Sequence, residues 1–341
     1  MSQANKHEPT RVLVIRAGAL GDTVCASSII EALRHHYGDD VIIDWVAKSG
    51  IGQLFVSDPR IDQLFELKSR NTPLLFNPAK WQVIKHSFQK PYDLVVNLEL
   101  GNFFNNTIRL IRGKQKIGMP YRHFTEPAET HAVENLHLIY KSFLNNEDIQ
   151  YAEPSLLGTP AEEIKSKFSL PDNYIVLVPA NSHSGKRSTI NHRAWPVEHW
   201  KKLNQLLSEN NIHGVIIGGK GEREQLESLL PAPAGIISLI GQTNFPDLIG
   251  VIQGANAMIT TDTGPSHLAA AVNTPVYAII GPTNFKRTGP YSTKNNQVTI
   301  LSAHLDCSPC YHTPRLAACQ DNQCMKQVIP EQVLKELKAS L

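Results

Sequence analysis

Short apolar segments alternate along the chain with longer segments that mix polar and apolar residues. The first, at 11–16 (RVLVIR), has no polar residue between its two arginines; a turn with Gly18 and Gly21 follows, and a helical pattern occupies 23–36. This order predicts a buried strand, a glycine turn and a helix. Similar segments at 41–47, 61–67 and 93–98 predict further strands, and this alternation is typical of a parallel sheet with helices on both faces.

A second series of the same kind begins after a proline-containing passage at 151–173. Strands are predicted at 174–178, 213–217, 235–240, 257–261 and 275–280, and helices at 196–209, 222–230, 246–253 and 265–272. The fold class is therefore α/β, with two Rossmann-like doubly wound domains facing a cleft at the carboxyl ends of their strands. We assign residues 1–160 to the first domain and 161–329 to the second, and a helix at 330–341 can pack back on the first.

Composition and charge narrow the function classes. The 341 residues are 41% hydrophobic and 19% charged, which predicts a folded chain, and the net charge of +2 offers no overall field for nucleic acid. No apolar stretch approaches the ~20 residues of a membrane-spanning helix, and the polar N-terminus lacks the apolar region of a signal peptide. We therefore expect a cytoplasmic protein that does not bind nucleic acid.

Positive charge is concentrated between residues 68 and 122. This segment holds ten lysines and arginines but only two acidic residues, so its net charge is +8. Such a block suits an acidic acceptor or the anionic face of a membrane, and a solubilising surface is the alternative. The residues that we assign to acceptor binding are Arg109, Arg112, Lys114 and Arg122.

The first glycine turn places a carboxylate where a strand passes into a helix. The spacing Gly18-x-x-Gly21 matches neither the dinucleotide fingerprint nor a P-loop, so NAD binding and ATP hydrolysis lose support. Asp22 follows directly. It is either an N-cap of the helix or a general base at the edge of the cleft.

A second strand-to-helix passage, at 260–271 (TTDTGPSHLAAA), predicts an anion site. The N–H groups of Thr263, Gly264 and Ser266 and the positive end of the helix dipole could hold a pyrophosphate. Asp262 and His267 would then position a sugar or a phosphate. The alternative is that Asp262 caps the helix and His267 packs under the sheet.

Two loops add groups of the same chemistry. The loop at 180–196 contains Lys186, Ser188, Thr189 and Arg193, which can surround an anionic group, although cations also cluster on ordinary solvated loops. Glu222 could accept hydrogen bonds from ribose hydroxyls, or it could favour the N-terminus of its own helix.

Four of the five cysteines lie near the end of the chain. The pattern Cys307-x2-Cys310-x8-Cys319-x4-Cys324 permits thiolate ligation of a metal, yet its middle gap is shorter than in the usual zinc ribbons. Packed reduced thiols and disulfides are the other interpretations. Cys25 is interpreted as a small core residue.

Three motifs together give a resemblance. The segments VLVIRAGALGDTVCASSIIEALR, GKRSTINHRAWPVEHWKKL and TTDTGPSHLAAAVNTPVYAIIGPT resemble the ADP-heptose:lipopolysaccharide heptosyltransferases of glycosyltransferase family 9. The resemblance implies a two-domain GT-B fold and inverting transfer of heptose from ADP-heptose to a hydroxyl of the lipopolysaccharide inner core. It also implies that no metal and no cofactor is needed, and it suits peripheral contact with the inner membrane face.

The resemblance also implies roles for single residues. Asp22 matches the proposed catalytic base, and Asp262, Thr263, Gly264 and His267 match the donor-binding block. Ser188 and Thr189 match donor phosphate contacts, Glu222 matches a ribose contact, and Lys186 competes with Arg193 for a phosphate. Arg193 is a departure, because the family often has lysine two residues before the Trp-Pro pair. Another nucleotide sugar or acceptor, or a non-catalytic binding module for sugar nucleotides or glycolipids, therefore remains an alternative.

Overall fold

The computed structural model describes residues 8–124, 127, 129–181 and 190–340 and divides into two compact units, Met1–Ser155 and Leu156–Leu341. Each unit is built on one parallel sheet. The first sheet has the order β3-β2-β1-β4-β5 and the second has the order β11-β10-β9-β6-β7-β8. Both orders reverse direction beside the first strand of the unit, as in doubly wound nucleotide-binding folds.

In its described residues, the first unit has five strands and six α-helices. The strands are β1 (Arg11–Ile15), β2 (Ile42–Lys48), β3 (Gln63–Leu67), β4 (Tyr92–Asn97) and β5 (Gly113–Ile117). The helices are α1 (Leu20–Ala26), α2 (Ile29–Tyr37), α3 (Pro78–Gln89), α4 (Asn105–Leu110), α5 (Ala132–Tyr140) and α6 (Asn146–Ile149). Short 3-10 turns occupy Ile51–Phe55, Leu74–Phe76 and Asn102–Phe104.

Strand β1 lies at the centre of the first sheet because its side chains are apolar on both faces. Residues 12–15 are fully buried, and Val12 lies opposite Ile43 of β2 and Leu94 of β4. A strand that is covered on both sides carries a continuous apolar run rather than an alternating one. Strands β1 to β4 confirm the predicted pattern. The sequence does not predict β5, because its residues, GKQKI, include two lysines and lack an apolar run.

The second unit has six strands and nine α-helices in the part of the chain that the structure describes. The strands are β6 (Ile175–Val178), β7 (Gly214–Ile216), β8 (Ile236–Ser238), β9 (Ala257–Thr261), β10 (Val276–Ile279) and β11 (Val298–Leu301). The helices are α7 (Ala161–Phe168), α8 (Val197–Glu209), α9 (Arg223–Leu226), α10 (Phe245–Gln253), α11 (Gly264–Ala271), α12 (Phe285–Thr288), α13 (Pro314–Ala318), α14 (Gln323–Lys326) and α15 (Pro330–Lys338). Further 3-10 turns lie at Lys220–Glu222 and Glu227–Leu229.

The units divide between Ser155 and Leu156, five residues before the boundary drawn from the sequence. The segment that follows is fixed to α10. The N–H of Thr159 donates to the Pro246 carbonyl at 3.0 Å, and a Cβ on Gly158 would lie 2.6 Å from the same oxygen. These residues therefore belong to the packing of the second unit.

The last helix, α15, packs inside the second unit. Val333 and Leu337 are fully buried, and they join the core cluster that contains Trp200 and Leu203 of α8. The helix presents a clear apolar stripe, which α8 covers. The apolar face of this helix therefore has a partner in its own unit, and a contact with the first domain stays a prediction.

Helix length also bears on the membrane question. Among the described residues, we find no helix with both the length and the apolar character that crossing a bilayer requires.

Candidate functional site

The candidate residues of the first unit lie where the strand order reverses, between β1 and β4. The chain leaves β1 toward β2 on one side, and β4 pairs with β1 on the other. The carboxyl ends of the strands at such a reversal are the usual ligand position in open α/β sheets. Asp22 follows β1 and Glu99 follows β4.

Asp22 is the third residue of α1, and Ala19 occupies the N-cap position. One carboxylate oxygen, Oδ2, accepts the backbone N–H of Ala19 at 3.0 Å, as the N3 acid of a capping box does. The other, Oδ1, lies 3.2 Å from Nη2 of Arg16, and the Asp22 side chain is 46% exposed. The N-cap interpretation is therefore corrected in position, and the exposed carboxylate remains able to take a proton.

Gly18 makes this arrangement possible. A Cβ at position 18 would lie 2.6 Å from Oδ2 of Asp22, which is closer than real Cβ contacts come. The glycine turn therefore serves the carboxylate by letting the backbone pass close to it.

Glu99 is a site residue that sequence reasoning missed. It is 2% exposed, its Oε1 accepts the N–H of Ala17 at 2.7 Å, and its Oε2 accepts from Nη1 of Arg70 at 2.8 Å. Arg16 adds a second tie between the segments after β1 and β4, because its Nη1 donates to the Leu98 carbonyl. These contacts hold the turn that carries Asp22. An acidic residue directly after a buried strand (NLEL) is the signal that could have identified Glu99.

The residues assigned to acceptor binding do not lie together. Arg112 and Lys114 flank the amino-terminal end of β5, which in a parallel sheet is the edge opposite Asp22. Lys114 pairs there with Asp93 at 2.7 Å, and this contact raises the lysine pKa. Arg109 lies in the last turn of α4, before β5 begins. Arg122 follows the carboxyl end of β5, at the same edge as Asp22, and its guanidinium lies 5.0 Å from the Phe124 ring.

The second unit repeats the switch point between β6 and β9. Arg193 lies in the segment after β6, and Asp262 follows β9 directly. Nη1 of Arg193 is 3.3 Å from Oδ2 of Asp262, and the two side chains are 15% and 11% exposed. This ion pair joins the two central segments and keeps a guanidinium at the carboxyl edge of the sheet, where it can meet a phosphate bidentately.

The start of α11 forms the rest of this region. Thr263 is its N-cap residue, so the interpretation of Asp262 as the cap is corrected. The N–H of Ser266 donates to the Thr263 carbonyl at 3.1 Å, which removes it from the expected anion site. Gly264 and His267 are half-buried. The turn therefore reaches the surface rather than lying beneath other chain.

Four further candidates complete the comparison with the sequence. Lys186, Ser188 and Thr189 lie outside the described residues. Glu222 follows β7, and its Oε2 accepts the N–H of Gly219 at 2.7 Å. The structure thus favours the helix-start interpretation of one Glu222 oxygen, and the other oxygen is available for a ribose hydroxyl.

The C-terminal segment brings an aromatic ring to Arg193 that the sequence did not reveal. The N–H groups of Cys310 and Tyr311 both donate to the Pro282 carbonyl at 2.8 Å. The Tyr311 ring centroid then lies 5.5 Å from the Arg193 guanidinium carbon. A cation over an aromatic face is attracted by the ring quadrupole, so Tyr311 helps to position Arg193.

The four C-terminal cysteines are close enough to influence one another. Burial raises the pKa of Cys324 to about 11, and Cys310, Cys307 and Cys319 add to the rise. The structure contains no disulfide bond. Within the described ranges, no three His, Cys, Asp or Glu side chains group as a metal site requires.

Taken together, two doubly wound parallel sheets with charged side chains at both switch points define a two-domain α/β protein of the Rossmann-like class. The model of glycosyltransferase family 9 (heptosyltransferase) matches residues 112–320, more than half of the chain. The chain belongs to glycosyltransferase family 9, and the resemblance seen in the motifs is confirmed.

Individual relatives agree. Lipopolysaccharide heptosyltransferase 1 of Escherichia coli O18:K1:H7 (strain RS218) is 23% identical over 301 residues, covering 84% of this chain and 90% of the relative. The glycosyl transferase family 9 structure from Veillonella parvula superimposes with a TM-score of 0.77 at 19% identity, covering 99% of this chain and 98% of that one. Escherichia coli heptosyltransferase WaaC with ADP gives a TM-score of 0.70 at 20% identity, covering 97% and 100%. The fold is thus the GT-B fold of these glycosyltransferases.

Proposed function

We propose that the protein transfers a heptose from ADP-heptose to a hydroxyl of the lipopolysaccharide inner core, with inversion at the anomeric carbon. The observation that carries the proposal is the exposed Asp22 carboxylate, fixed by Ala19 and Arg16 at the first switch point. A carboxylate held in this way is suited to removing a proton from an attacking hydroxyl. A single displacement by that hydroxyl inverts the configuration.

The donor is proposed to bind to the second unit. Arg193, held by Asp262, would meet the charge that grows on the leaving phosphate, and the start of α11 would add its partial positive charge. Glu222 would accept from the ribose, and Ser188, Thr189 and Lys186 would contact the phosphates. The known complex of a structural relative with ADP supports a nucleotide donor.

The acceptor is proposed to bind to the first unit, where Arg122 lies at the Asp22 edge of the sheet. Arg112 and Lys114 are not carried into this proposal, because they lie at the opposite edge. Arg109 is left out with them, since it precedes β5. A lipopolysaccharide acceptor also implies a cytoplasmic protein in peripheral contact with the inner membrane face.

Metal is not part of the proposed mechanism. The charge of the leaving diphosphate would be met by Arg193 and by the backbone N–H groups at the start of α11, so a divalent cation has no task to perform. We therefore expect a chelator to leave the rate unchanged, and a loss of rate that added divalent metal restores would contradict this part of the proposal.

The test is a comparison of donors with and without acceptor. Purified protein is incubated with ADP-heptose, ADP-glucose or UDP-glucose and an inner-core acceptor, and nucleotide release and acceptor mass are followed. We expect ADP release with ADP-heptose only, a heptose added to the acceptor, and an inverted linkage by nuclear magnetic resonance. Release with another donor would identify a different sugar, and binding without release would identify a non-catalytic module.

A further inference from the structure

One surface of the first unit exposes large apolar side chains. We name it the Trp81 face and define it as Leu75, Phe76, Trp81, Lys85 and Phe88. The exposed fractions of the four apolar residues are 73% for Leu75, 70% for Phe76, 45% for Trp81 and 60% for Phe88. Single exposed apolar residues are ordinary, but four within fourteen residues of sequence form a patch that calls for an explanation.

The geometry of α3 places three of these residues on one stripe. Trp81, Lys85 and Phe88 follow one another at spacings of four and three, so their side chains share the solvent side of the helix. Val83 and Ile84 of the same helix are buried in the core. The helix therefore buries one apolar face and exposes two aromatic side chains, Trp81 and Phe88, among polar residues on its solvent side.

The turn before α3 is held in place from below. Lys80 is 2% exposed, and its Nζ donates to the carbonyls of Arg70 at 2.9 Å, Thr72 at 3.1 Å and Phe103 at 2.7 Å. Asn77 caps the helix by accepting the N–H of Lys80 at 3.2 Å. The exposure of Leu75 and Phe76 is therefore a property of a fixed turn rather than of a frayed end.

All of the charged residues in the sequence around this face are positive. Between Lys68 and Lys90 there are five lysines and arginines and no acidic residue. Lys68, Lys85 and Lys90 are exposed, whereas Lys80 serves the turn. Glu66 of β3 borders the same cavity of about 380 Å³ as Lys85, and its Oε1 accepts the N–H of Gly50 at 3.2 Å. The surface thus combines apolar side chains with an excess of cations over this one carboxylate.

We propose that the Trp81 face binds the interface of a bilayer that contains anionic phospholipid. Aromatic side chains prefer the boundary between headgroups and acyl chains, and neighbouring lysines are attracted to anionic headgroups. A second copy of the chain fits less well, because a symmetric contact would bring like charges together. The inference rests on the membrane contact that the proposed function implies and names the face that makes it. Its residues are separate from the donor and base residues, so vesicle binding and sugar transfer can fail independently of each other.

The first experiment uses the protein's own tryptophans. Trp45 is fully buried and Trp195 and Trp200 are each 2% exposed, so Trp81 is the tryptophan that lipid can reach. We expect vesicles of brominated phosphatidylcholine with phosphatidylglycerol to quench part of the emission, and the quenching to disappear in Trp81→Phe while vesicle binding persists. Binding with no quenching of Trp81 would overturn the proposal.

The second experiment measures vesicle co-sedimentation of full-length variants. Each of Lys85→Gln and Lys90→Gln is expected to weaken binding to phosphatidylglycerol-containing vesicles about fivefold, and Phe76→Ser with Phe88→Ser to weaken it at least tenfold. The matched controls, Lys202→Gln and Leu157→Ser with Val197→Ser, change exposed residues of the second unit and should bind as the wild type does. Circular dichroism shows that each variant is folded.

Three outcomes would overturn the proposal. One is equal binding to pure phosphatidylcholine vesicles, which would remove the role of the lysines. Another is a control variant that loses binding as strongly as the face variants do. The third is a dimer in analytical ultracentrifugation that the Phe76→Ser, Phe88→Ser variant abolishes, which would assign the face to a second copy of the chain.

Discussion

The two switch points of this glycosyltransferase each hold an arginine–aspartate ion pair, but the two pairs differ in exposure. In the first unit Asp22 is 46% exposed and its partner Arg16 is 12% exposed, so the carboxylate is the accessible member of the pair. In the second unit Arg193 and Asp262 are 15% and 11% exposed, and the guanidinium is also flanked by Tyr311. One fold thus exposes a carboxylate in one unit and keeps both members of the ion pair largely buried in the other.

The two turns that carry these ion pairs are held in place by different kinds of contact. Glu99 is buried under the first turn and accepts hydrogen bonds from Ala17 and Arg70. The turn that carries the Arg16–Asp22 ion pair is therefore held from the β4 side. The second turn is supported by its own helix, with the backbone N–H of Ser266 donating to the Thr263 carbonyl at 3.1 Å. A turn that is held by a buried charged side chain loses more stability on a single substitution than a turn that is held by backbone hydrogen bonds.

The largest effect is expected from Asp22→Asn. The amide keeps an oxygen for the Ala19 N–H but cannot take a proton, so turnover should fall about 10²- to 10⁴-fold while ADP affinity is unchanged. Initial rates of ADP release and calorimetric ADP binding measure the two quantities. Asp39→Asn, at a carboxylate that is 91% exposed, is the matched control. Turnover within threefold of wild type would remove Asp22 from the mechanism.

The next effect is expected from Arg193→Gln. Loss of the cation should lower kcat about 10²- to 10³-fold and weaken ADP binding, and Arg193→Lys should recover part of both, since it keeps the charge but loses the planar fork. The double variant Arg193→Gln, Asp262→Asn removes the carboxylate that the single variant strands.

The double variant separates stability from chemistry. We expect it to regain thermal stability relative to Arg193→Gln while its turnover stays low. Arg223→Gln, at an exposed arginine of the same unit, should match the wild type in both measurements. Recovery of turnover in the double variant would show that Arg193 serves only to neutralise Asp262.

A smaller effect is expected from Glu99. Glu99→Ala leaves the Ala17 N–H and Arg70 without their partner, and we expect a loss of about 1–3 kcal/mol in the free energy of unfolding. Glu99→Gln keeps one acceptor oxygen and should lose less. Urea unfolding measures the change, and Glu134→Gln, at an exposed position, is the control. Equal unfolding midpoints for all three variants would mean that the first turn does not depend on Glu99.

Glu99 also shows where sequence reasoning ends. The strand runs, the order of the two series and the placement of Asp22 and Asp262 after β1 and β9 could be predicted, because hydrophobic periodicity and turn residues are local signals. The contact between Glu99 and Ala17 joins residues 82 positions apart, and nothing local indicates it. The same is true of Tyr311 and Arg193, which only the fold brings together.

Two expectations depend on information that the sequence does not hold. Arg112 and Lys114 were assigned to acceptor binding from charge alone, but charge density along the sequence does not say to which end of a sheet a residue belongs. The helix at the C-terminus was expected on the first domain, although an apolar stripe specifies only that some partner covers it. Both assignments required tertiary information.

The smallest expected effect on catalysis concerns the cysteines. Cys25 of the first unit is buried, and burial with the nearby Asp22 charge raises its pKa to about 12, whereas Cys307 of the second unit is exposed. Since the thiolate is the reactive form, iodoacetamide at pH 8 should modify Cys307 first and spare Cys25. Peptide mass spectrometry measures the order, and the turnover of the Cys307-modified protein should remain that of the untreated enzyme.

Cys324 makes this prediction quantitative. With a pKa of about 11, only about one thiol in a thousand is ionised at pH 8, so raising the pH to 10 should speed its labelling about a hundredfold. A pH-independent block of all four C-terminal thiols that a chelator releases would instead show that they ligate a metal. That result would distinguish the second unit from the first by a metal centre, in addition to the greater burial of its Arg193–Asp262 ion pair.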